Sequence, residues 1–317
     1  MLLHIAYLLA GGLLLWKGAD WVVDAASAIA RRFGISELII GLTIVAMGTS
    51  LPEFLVTLTA VLKGIPSISF ANIVGSNIFN LGIILGAVAM IKSVSGSKTL
   101  ITRDIPILFG VELLIRMMVS GGELGRFDGV ILTSVFVGYL AWMYYRCKKP
   151  SSASDAALCD MVSDSEVATV KDYLLLPVGL LAVSFGSQFV VDGASGVARA
   201  FGLSEWLIGV TIVAAGTSLP ELVTCLSASV KGKNDMILGN LIGSDFFNFA
   251  GVLGITSLIR PIAIMPDELL NMSFAVVVVA VLWIFIRTQG KISRSEGALL
   301  FAAGIGRWLF EIWRGAM

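Results

Sequence analysis

A single histidine, His4, and three cysteines, Cys147, Cys159 and Cys225, are all that 317 residues offer of the softer metal ligands. One imidazole and scattered thiols cannot assemble the Cys/His sets that hold zinc. The odd cysteine count, without metal-ligand spacing, also gives no disulfide framework, and the three read as incidental. Charge is equally scarce. Lys, Arg, Asp and Glu make up 14% of the chain and cancel to a net charge of zero, well below the roughly 25% of soluble domains, so no basic face is available for nucleic acid. Apolar residues fill the space that charge leaves: they are 57% of the sequence, and the mean hydropathy is +0.92. That balance describes a polytopic membrane protein. The first apolar run has no Lys or Arg ahead of it and no A-x-A cleavage site, so it reads as a retained helix and not a cleaved signal.

The chain repeats itself. Displacing it by 168 residues aligns GADWVVDAASAIARRFGISE (Gly18 to Glu37) with GSQFVVDGASGVARAFGLSE (Gly186 to Glu205). Without a gap, the same offset sets GLTIVAMGTSLPEFL (Gly41 to Leu55) on GVTIVAAGTSLPELV (Gly209 to Val223), identical at 11 of 15 positions. It also sets NIVGSNIFNLG (Asn72 to Gly82) on NLIGSDFFNFA (Asn240 to Ala250). Such self-similarity is the mark of a duplicated structural unit.

Apolar runs of spanning length fall at 2–26, 37–62, 69–91, 104–121 and 127–146, then at 173–198, 205–230, 236–259, 268–287 and 295–314. The expected fold is therefore all-α, with ten transmembrane helices in two five-helix repeats, residues 1–146 and 173–317, joined by a polar linker over 147–172. An odd number of helices per repeat makes the second enter the membrane from the opposite side, the inverted arrangement of many secondary transporters. One set of loops carries 14 of the 22 Lys and Arg residues and the other set 7. The richer side is expected to be cytoplasmic. In a cell membrane this puts the linker inside and both termini outside.

GTSLPE occurs twice, at Gly48 to Glu53 and at Gly216 to Glu221, each time inside an apolar run. A proline within a helix removes one N–H donor and pushes against the carbonyl four residues back, so Pro52 and Pro220 are expected to loosen the backbone at Gly48 and Gly216. Backbone freed in this way is tolerated in a membrane where it lines a cavity and finds a partner, and a cation is such a partner. Thr49 and Ser50 add hydroxyl oxygens and Glu53 a charge; Thr217, Ser218 and Glu221 repeat the set. An ionised carboxylate at the bilayer centre costs at least about 3 kcal/mol on insertion scales, so two of them call for compensating cations or protons. In the third run of each repeat Ser76 and Asn80, and likewise Ser244 and Asn248, stand four apart on one helix face. Small residues at Gly82 and Gly86, at Ala71 and Gly75, and at Gly239 and Gly243 suit close helix approach. The set is all oxygen, which favours hard cations such as Ca²⁺ or Na⁺ over Zn²⁺ or Cu⁺. Asp24 and Asp192 correspond but read as solvated or capping groups near helix ends, and Lys17 with Asp20 reads as a local pair.

GTSLPE with GSNIFN, and GTSLPE with GSDFFN, resemble the two alpha-repeats of the sodium/calcium exchanger branch of the calcium:cation antiporters, over essentially the whole chain. The resemblance implies a ten-helix fold whose second, third, seventh and eighth helices enclose the ions, while the first and sixth slide past them. Carried over by motif, the ligands are Thr49, Ser50, Glu53, Ser76 and Asn80 with Thr217, Ser218, Glu221, Ser244 and Asn248, joined by the backbone carbonyls of Ala46 and Ala214. It implies exchange of one Ca²⁺ for several Na⁺ across a lipid bilayer, with no cofactor, no nucleic acid and no obligatory protein partner. Potassium-dependent relatives commonly have Asp where this chain has Asn248, which argues against K⁺ coupling. Asp245 departs from the pattern, standing where Asn is usual and where the first repeat has Asn77. It is rotated by about 100° from the Ser244 face, and reads as a residue behind the ligands. Three other functions remain open from the residues themselves: a proton-coupled Ca²⁺ exchanger, a cation channel, and, lacking a nucleophile–base pair, an intramembrane enzyme.

Overall fold

The computed structural model describes residues 1–64, 66–148 and 168–315. The chain is helical throughout, apart from four two-residue strands. The first half runs through α1 (Leu2–Phe33), α2 (Glu37–Thr49), α3 (Leu51–Leu62), α4 (Ser69–Ile91), α5 (Leu100–Asp104 continuing as Ile105–Met118) and α6 (Arg126–Lys148). The second half repeats it as α7 (Val170–Ala200), α8 (Glu205–Ile208 continuing through Gly209–Val213 to Ala214–Thr217), α9 (Leu219–Val230), α10 (Asn234–Ile259), α11 (Pro266–Gln289) and α12 (Arg294–Gly315). Six of the described helices are long and apolar enough to cross a membrane unbroken, and two bent pairs, α2 with α3 and α8 with α9, bring the number to eight. α5 and α12 occupy the places of the fourth run of the first half and the fifth run of the second.

Several boundaries move outward from the sequence reading. α1 runs on to Phe33, because the alanine-rich segment continues the helix and Arg31 and Arg32 suit its negative end; Gly34, at φ +63°, then stops it. α6 and α7 reach Lys148 and back to Val170, into both ends of the stretch read as a linker. The rest of that stretch, 149–167 with Cys159, lies outside the described residues. Lys17 acts on Asp20 electrostatically, as expected of a local pair, but does not supply its close contact. Asp20 instead accepts from Lys231, 3.2 Å away, and from the Ser227 hydroxyl at 2.8 Å, while Lys17 lies over the Trp16 ring. Lys231 also reaches Asp24 at 2.8 Å. These bonds join α1 to α9, a contact between repeats that local spacing cannot encode.

The strands fix the relative direction of the halves. β1 (Val94–Ser95) joins α4 to α5 and β2 (Glu123–Leu124) joins α5 to α6; β3 (Ile262–Ala263) and β4 (Lys291–Ile292) occupy the equivalent places in the second half. β1 pairs with β4, and β2 with β3. Halves pointing the same way would put β1 and β4 on opposite faces, about 30 Å apart. Their pairing therefore requires inverted repeats.

α4 and α10 form the centre, with 72% and 83% of their apolar windows buried against 22% for α1 and for α6. Outside this centre α1 and α7 cross on glycine. A Cβ at Gly11 would meet the Gly186 carbonyl at 2.7 Å, and one at Gly18 the Gly179 carbonyl at 3.0 Å. The two contacts are related by the 168-residue repeat, and the absence of side chains lets the backbones approach.

Candidate ion-binding site

α2 and α3 meet at Ser50 with a bend of 48°, and α8 and α9 meet at Ser218 with one of 56°. In each pair the proline falls in the first turn after the break, where a helix has no use for its N–H. The glutamate follows at once, so Glu53 and Glu221 sit at the positive ends of half-helices, which favours a carboxylate. Pro220 deprives the Gly216 carbonyl of its helical donor, and the Ser187 hydroxyl of α7 takes that role. The equivalent residue on α1 is Ala19, which has no hydroxyl to offer Gly48.

The two breaks face each other, and each holds the other's acid. Ser50 donates to Glu221 Oε1 at 2.9 Å, and Ser218 donates to Glu53 Oε1 at 3.2 Å. Ser244 on α10 shares a 2.6 Å hydrogen bond with Ser50 and lies 3.4 Å from Glu221 Oε1. Asn80 Nδ2 on α4 donates to Ser244 Oγ at 3.3 Å. Asn80 and Asn248 occupy the π turns Phe79–Ile84 and Phe247–Val252, a local widening often found at functional sites. All of these side chains are fully buried, and Glu53 and Glu221 are close enough to repel each other.

The remaining valences identify what the cluster can hold. Glu53 Oε2, Glu221 Oε2, Asn80 Oδ1 and Asn248 Oδ1 are buried without a hydrogen-bond partner. They form two pairs related by the repeat. Unpartnered buried acceptors are expensive, and carboxylate and amide oxygens are the ligand type that a hard cation takes.

Thr49 turns its hydroxyl to the Ala46 carbonyl and to Asn240 Oδ1, each at 3.2 Å. Thr217 donates to the Ala214 carbonyl at 3.3 Å. Ser76 stands apart from the hydrogen-bonded cluster and lines a neighbouring cavity with Ala214 and Thr217. Two asparagines not singled out in the sequence join the site: Asn240, and Asn72, whose Nδ2 lies 3.4 Å from the Glu53 carbonyl and 3.1 Å from Thr57 Oγ1. Their correspondence across the 168-residue offset was the available signal.

The repeats differ in how they close. At α2, Gly239 and Gly243 of α10 press against backbone: a Cβ would meet the Leu38 carbonyl at 2.7 Å and the Leu42 carbonyl at 2.5 Å. At α8 the equivalent seam is apart. Gly75 and Gly209, the counterparts of Gly243 and Gly41, have nothing within 4 Å of a Cβ position. A cavity of about 410 Å³ fills the gap between α8, α4 and α12 and reaches Ser76 and Thr217. Ala46 and Thr49 on the closed side are buried. The cavity thus reaches the margin of the site at Ser76, Ala214 and Thr217 from the α8 side, while Glu53 and Glu221 stay fully buried.

The sequence profile of the family described as sodium/calcium exchanger protein matches residues 3–145 and 171–305. The sodium/calcium exchanger MaX1 of Methanosarcina acetivorans is 31% identical over 332 residues, covering 92% of this chain and 94% of MaX1. The inner membrane protein YrbG of Escherichia coli K12 is 34% identical over 320 residues, covering 98% of this chain and 96% of YrbG. A solved structure of the sodium-calcium exchanger NCX_Mj, soaked with zero Na⁺ and Ca²⁺, superposes with a TM-score of 0.83 at 34% identity, covering 96% of this chain and 97% of that one.

Proposed function

This chain belongs to the sodium/calcium exchanger family of membrane transporters, and we propose that it exchanges Ca²⁺ for Na⁺ by alternating access at the Glu53–Glu221 site. The observation that carries the reading is the set of four unpartnered oxygens on Glu53, Glu221, Asn80 and Asn248. Ca²⁺ takes both carboxylates, and Na⁺ ions displace it by claiming the same oxygens with the hydroxyls of Ser50, Ser218, Ser76, Ser244, Thr49 and Thr217 and the carbonyls of Ala46 and Ala214. Competition for shared ligands makes the exchange obligatory. With the Lys/Arg-rich loops in the cytoplasm, the cavity beside α8 opens outward, and both termini lie outside the cell membrane.

Neutral hydroxyls separate Na⁺ from H⁺ coupling, because a dehydrated Na⁺ needs oxygen ligands and a proton has little use for them. Ca²⁺ efflux from loaded vesicles is therefore driven by external Na⁺ at fixed pH and is not supported by K⁺. Ser50→Ala and Ser218→Ala each remove one hydrogen bond to a carboxylate as well as one ligand, a change of about 1.5–3 kcal/mol. The Na⁺ concentration for half-maximal exchange rises by roughly tenfold or more. Efflux driven equally well by a pH gradient without Na⁺ would replace this reading with proton coupling.

Orientation has its own test. In intact cells a membrane-impermeant thiol reagent labels a cysteine introduced at Met317 and misses one at Ser152. Both positions lie outside the described residues, so the outcome depends on the charge asymmetry alone. The opposite labelling pattern would reverse the sides assigned to the cavity.

A further inference from the structure

Of the buried acids outside the central site, Asp104 is paired with Arg103 and Glu268 caps its helix at Met265, which leaves Glu112 and Asp245. Glu112 lies in the middle of α5, fully buried, and neither of its carboxylate oxygens has a hydrogen-bond partner. α5 packs on α10, which brings Glu112 within electrostatic reach of Asp245. Asp245 is also fully buried. Its Oδ1 accepts from Asn80 Nδ2 at 3.0 Å, its backbone carbonyl accepts from Asn77 Nδ2 at 3.2 Å, and its Oδ2 is unpartnered. The charged groups felt by Asp245 include Glu112 and Glu221, both acidic, and among the described residues neither Glu112 nor Asp245 has an ion pair with a Lys or Arg.

This pair does not belong to the symmetric design of the central site. The position equivalent to Asp245 is Asn77, and the one equivalent to Glu112 is Ala280. The second repeat has gained an acid where the first keeps an amide, and α5 supplies another from outside the motif helices. Two carboxyl groups so deep in apolar surroundings, with no Lys or Arg against them, need a compensating positive species. A shared proton would join them by a direct hydrogen bond, and they form none with each other. Three oxygens, two on Glu112 and one on Asp245, are left without a partner and stay available to a ligand.

We propose that Glu112 and Asp245 hold one alkali-metal cation, Na⁺ under working conditions, at a second site behind the transport site. Oxygen ligands alone suit it. Asn80 connects the two sites: its Nδ2 bonds both Asp245 Oδ1 and Ser244 Oγ, and Ser244 touches Ser50 and Glu221. Occupancy of the second site fixes the Asn80 amide and, through it, where the Asn80 Oδ1 stands in the first. This extends the Na⁺/Ca²⁺ reading by one Na⁺-binding position, and rests on that reading for its role in transport but not for the binding itself.

The test separates the two. In the detergent-solubilised Glu53→Gln/Glu221→Gln protein, whose transport site lacks both charges, thermal unfolding is followed while Na⁺ replaces choline at constant ionic strength and pH. The melting temperature rises by several degrees, and adding Glu112→Gln or Asp245→Asn abolishes the rise. No Na⁺-dependent shift, a shift that survives Glu112→Gln, or stabilisation by acid alone would overturn the proposal. The second measurement uses Glu112→Gln in the otherwise unaltered chain. Gln is the isostere of a protonated Glu, so a mere proton carrier would keep its Na⁺ response; a lost cation site raises the Na⁺ needed for half-maximal Ca²⁺ efflux by threefold or more. If the unaltered protein shows no Na⁺-driven flux while the binding shift persists, the exchange reading fails and the site stands.

Discussion

Proteoliposomes carrying Glu53→Gln or Glu221→Gln take up Ca²⁺ no faster than protein-free vesicles. Each substitution takes one of two negative charges from a site that must balance a divalent ion, in a place from which water is excluded. Removing one partner of a buried charge interaction costs about 3–5 kcal/mol, which lowers affinity by roughly 10²- to 10⁴-fold. The fold survives, because Gln keeps an acceptor for the Ser218 or Ser50 hydroxyl that now holds Glu53 or Glu221. The ion-free protein is expected to melt at a higher temperature than the unaltered one, since two carboxylates that repel across the site become one. Addition of Ca²⁺ then raises the melting temperature of the unaltered protein and leaves that of either variant unchanged. Near-normal Ca²⁺ uptake by either variant would remove the central claim of the functional reading.

Gly75→Leu stops the transport cycle while leaving the ion site intact. Nothing lies within 4 Å of a Cβ at Gly75, so the open state accommodates the new side chain. Alternating access requires α8 to close on α4 as α2 now closes on α10. In that closed seam the counterpart, Gly243, faces the Leu42 carbonyl at 2.5 Å from a Cβ position. A leucine at residue 75 would then be driven into the backbone of Val210, the residue equivalent to Leu42. Overpacking of this kind costs about 1–3 kcal/mol or more, which holds back the closed state by roughly ten- to a hundredfold. Ca²⁺ binding to the purified protein stays within about threefold, while Na⁺-driven Ca²⁺ flux falls by at least about tenfold. Flux at the unaltered rate would mean that the seam beside Gly75 does not close during transport.

Much of this was legible in the sequence because the relevant signals are local or repeated. Glu53 and Glu221 are conspicuous as charges after prolines inside apolar runs, and the 168-residue offset doubles every such signal. The spacing of Ser76 with Asn80, and of Ser244 with Asn248, put each pair on one helix face. What sequence left hidden depends on distant contacts. Asp20 has Lys17 three residues away, yet its partners are Ser227 and Lys231, brought in by packing of α1 on α9. Ser187 carries no local signal of its own, and only the crossing of α7 over α8 aims its hydroxyl at the carbonyl that Pro220 exposes. Glu112 has no counterpart in the other repeat, so the comparison that exposed the central acids passed over it. Which seam is closed was illegible for a deeper reason. Gly75 and Gly243 occur in the same local motif, and choosing between two equivalent closures is a property of the conformation.

The short strands have a mechanical consequence. β1 with β4 links the α4–α5 connection to the α11–α12 connection on one face; β2 with β3 links α5–α6 to α10–α11 on the other. Backbone bonds from Gly96 to Gly290, at 3.0 Å, and from Ile264 to Gly122, at 2.9 Å, reinforce both ties. Chain and strands together stitch α4, α5, α6, α10, α11 and α12 into a frame braced at both ends. Two halves rocking as rigid bodies would have to break a brace at one face on every stroke. The remaining freedom belongs to the helices that no strand restrains, and above all to α1 and α7, whose crossing is paved with glycine. The sliding of these two spans that the family resemblance implies would then run within a fixed jamb. Its travel would be bounded by the frame and not by a hinge.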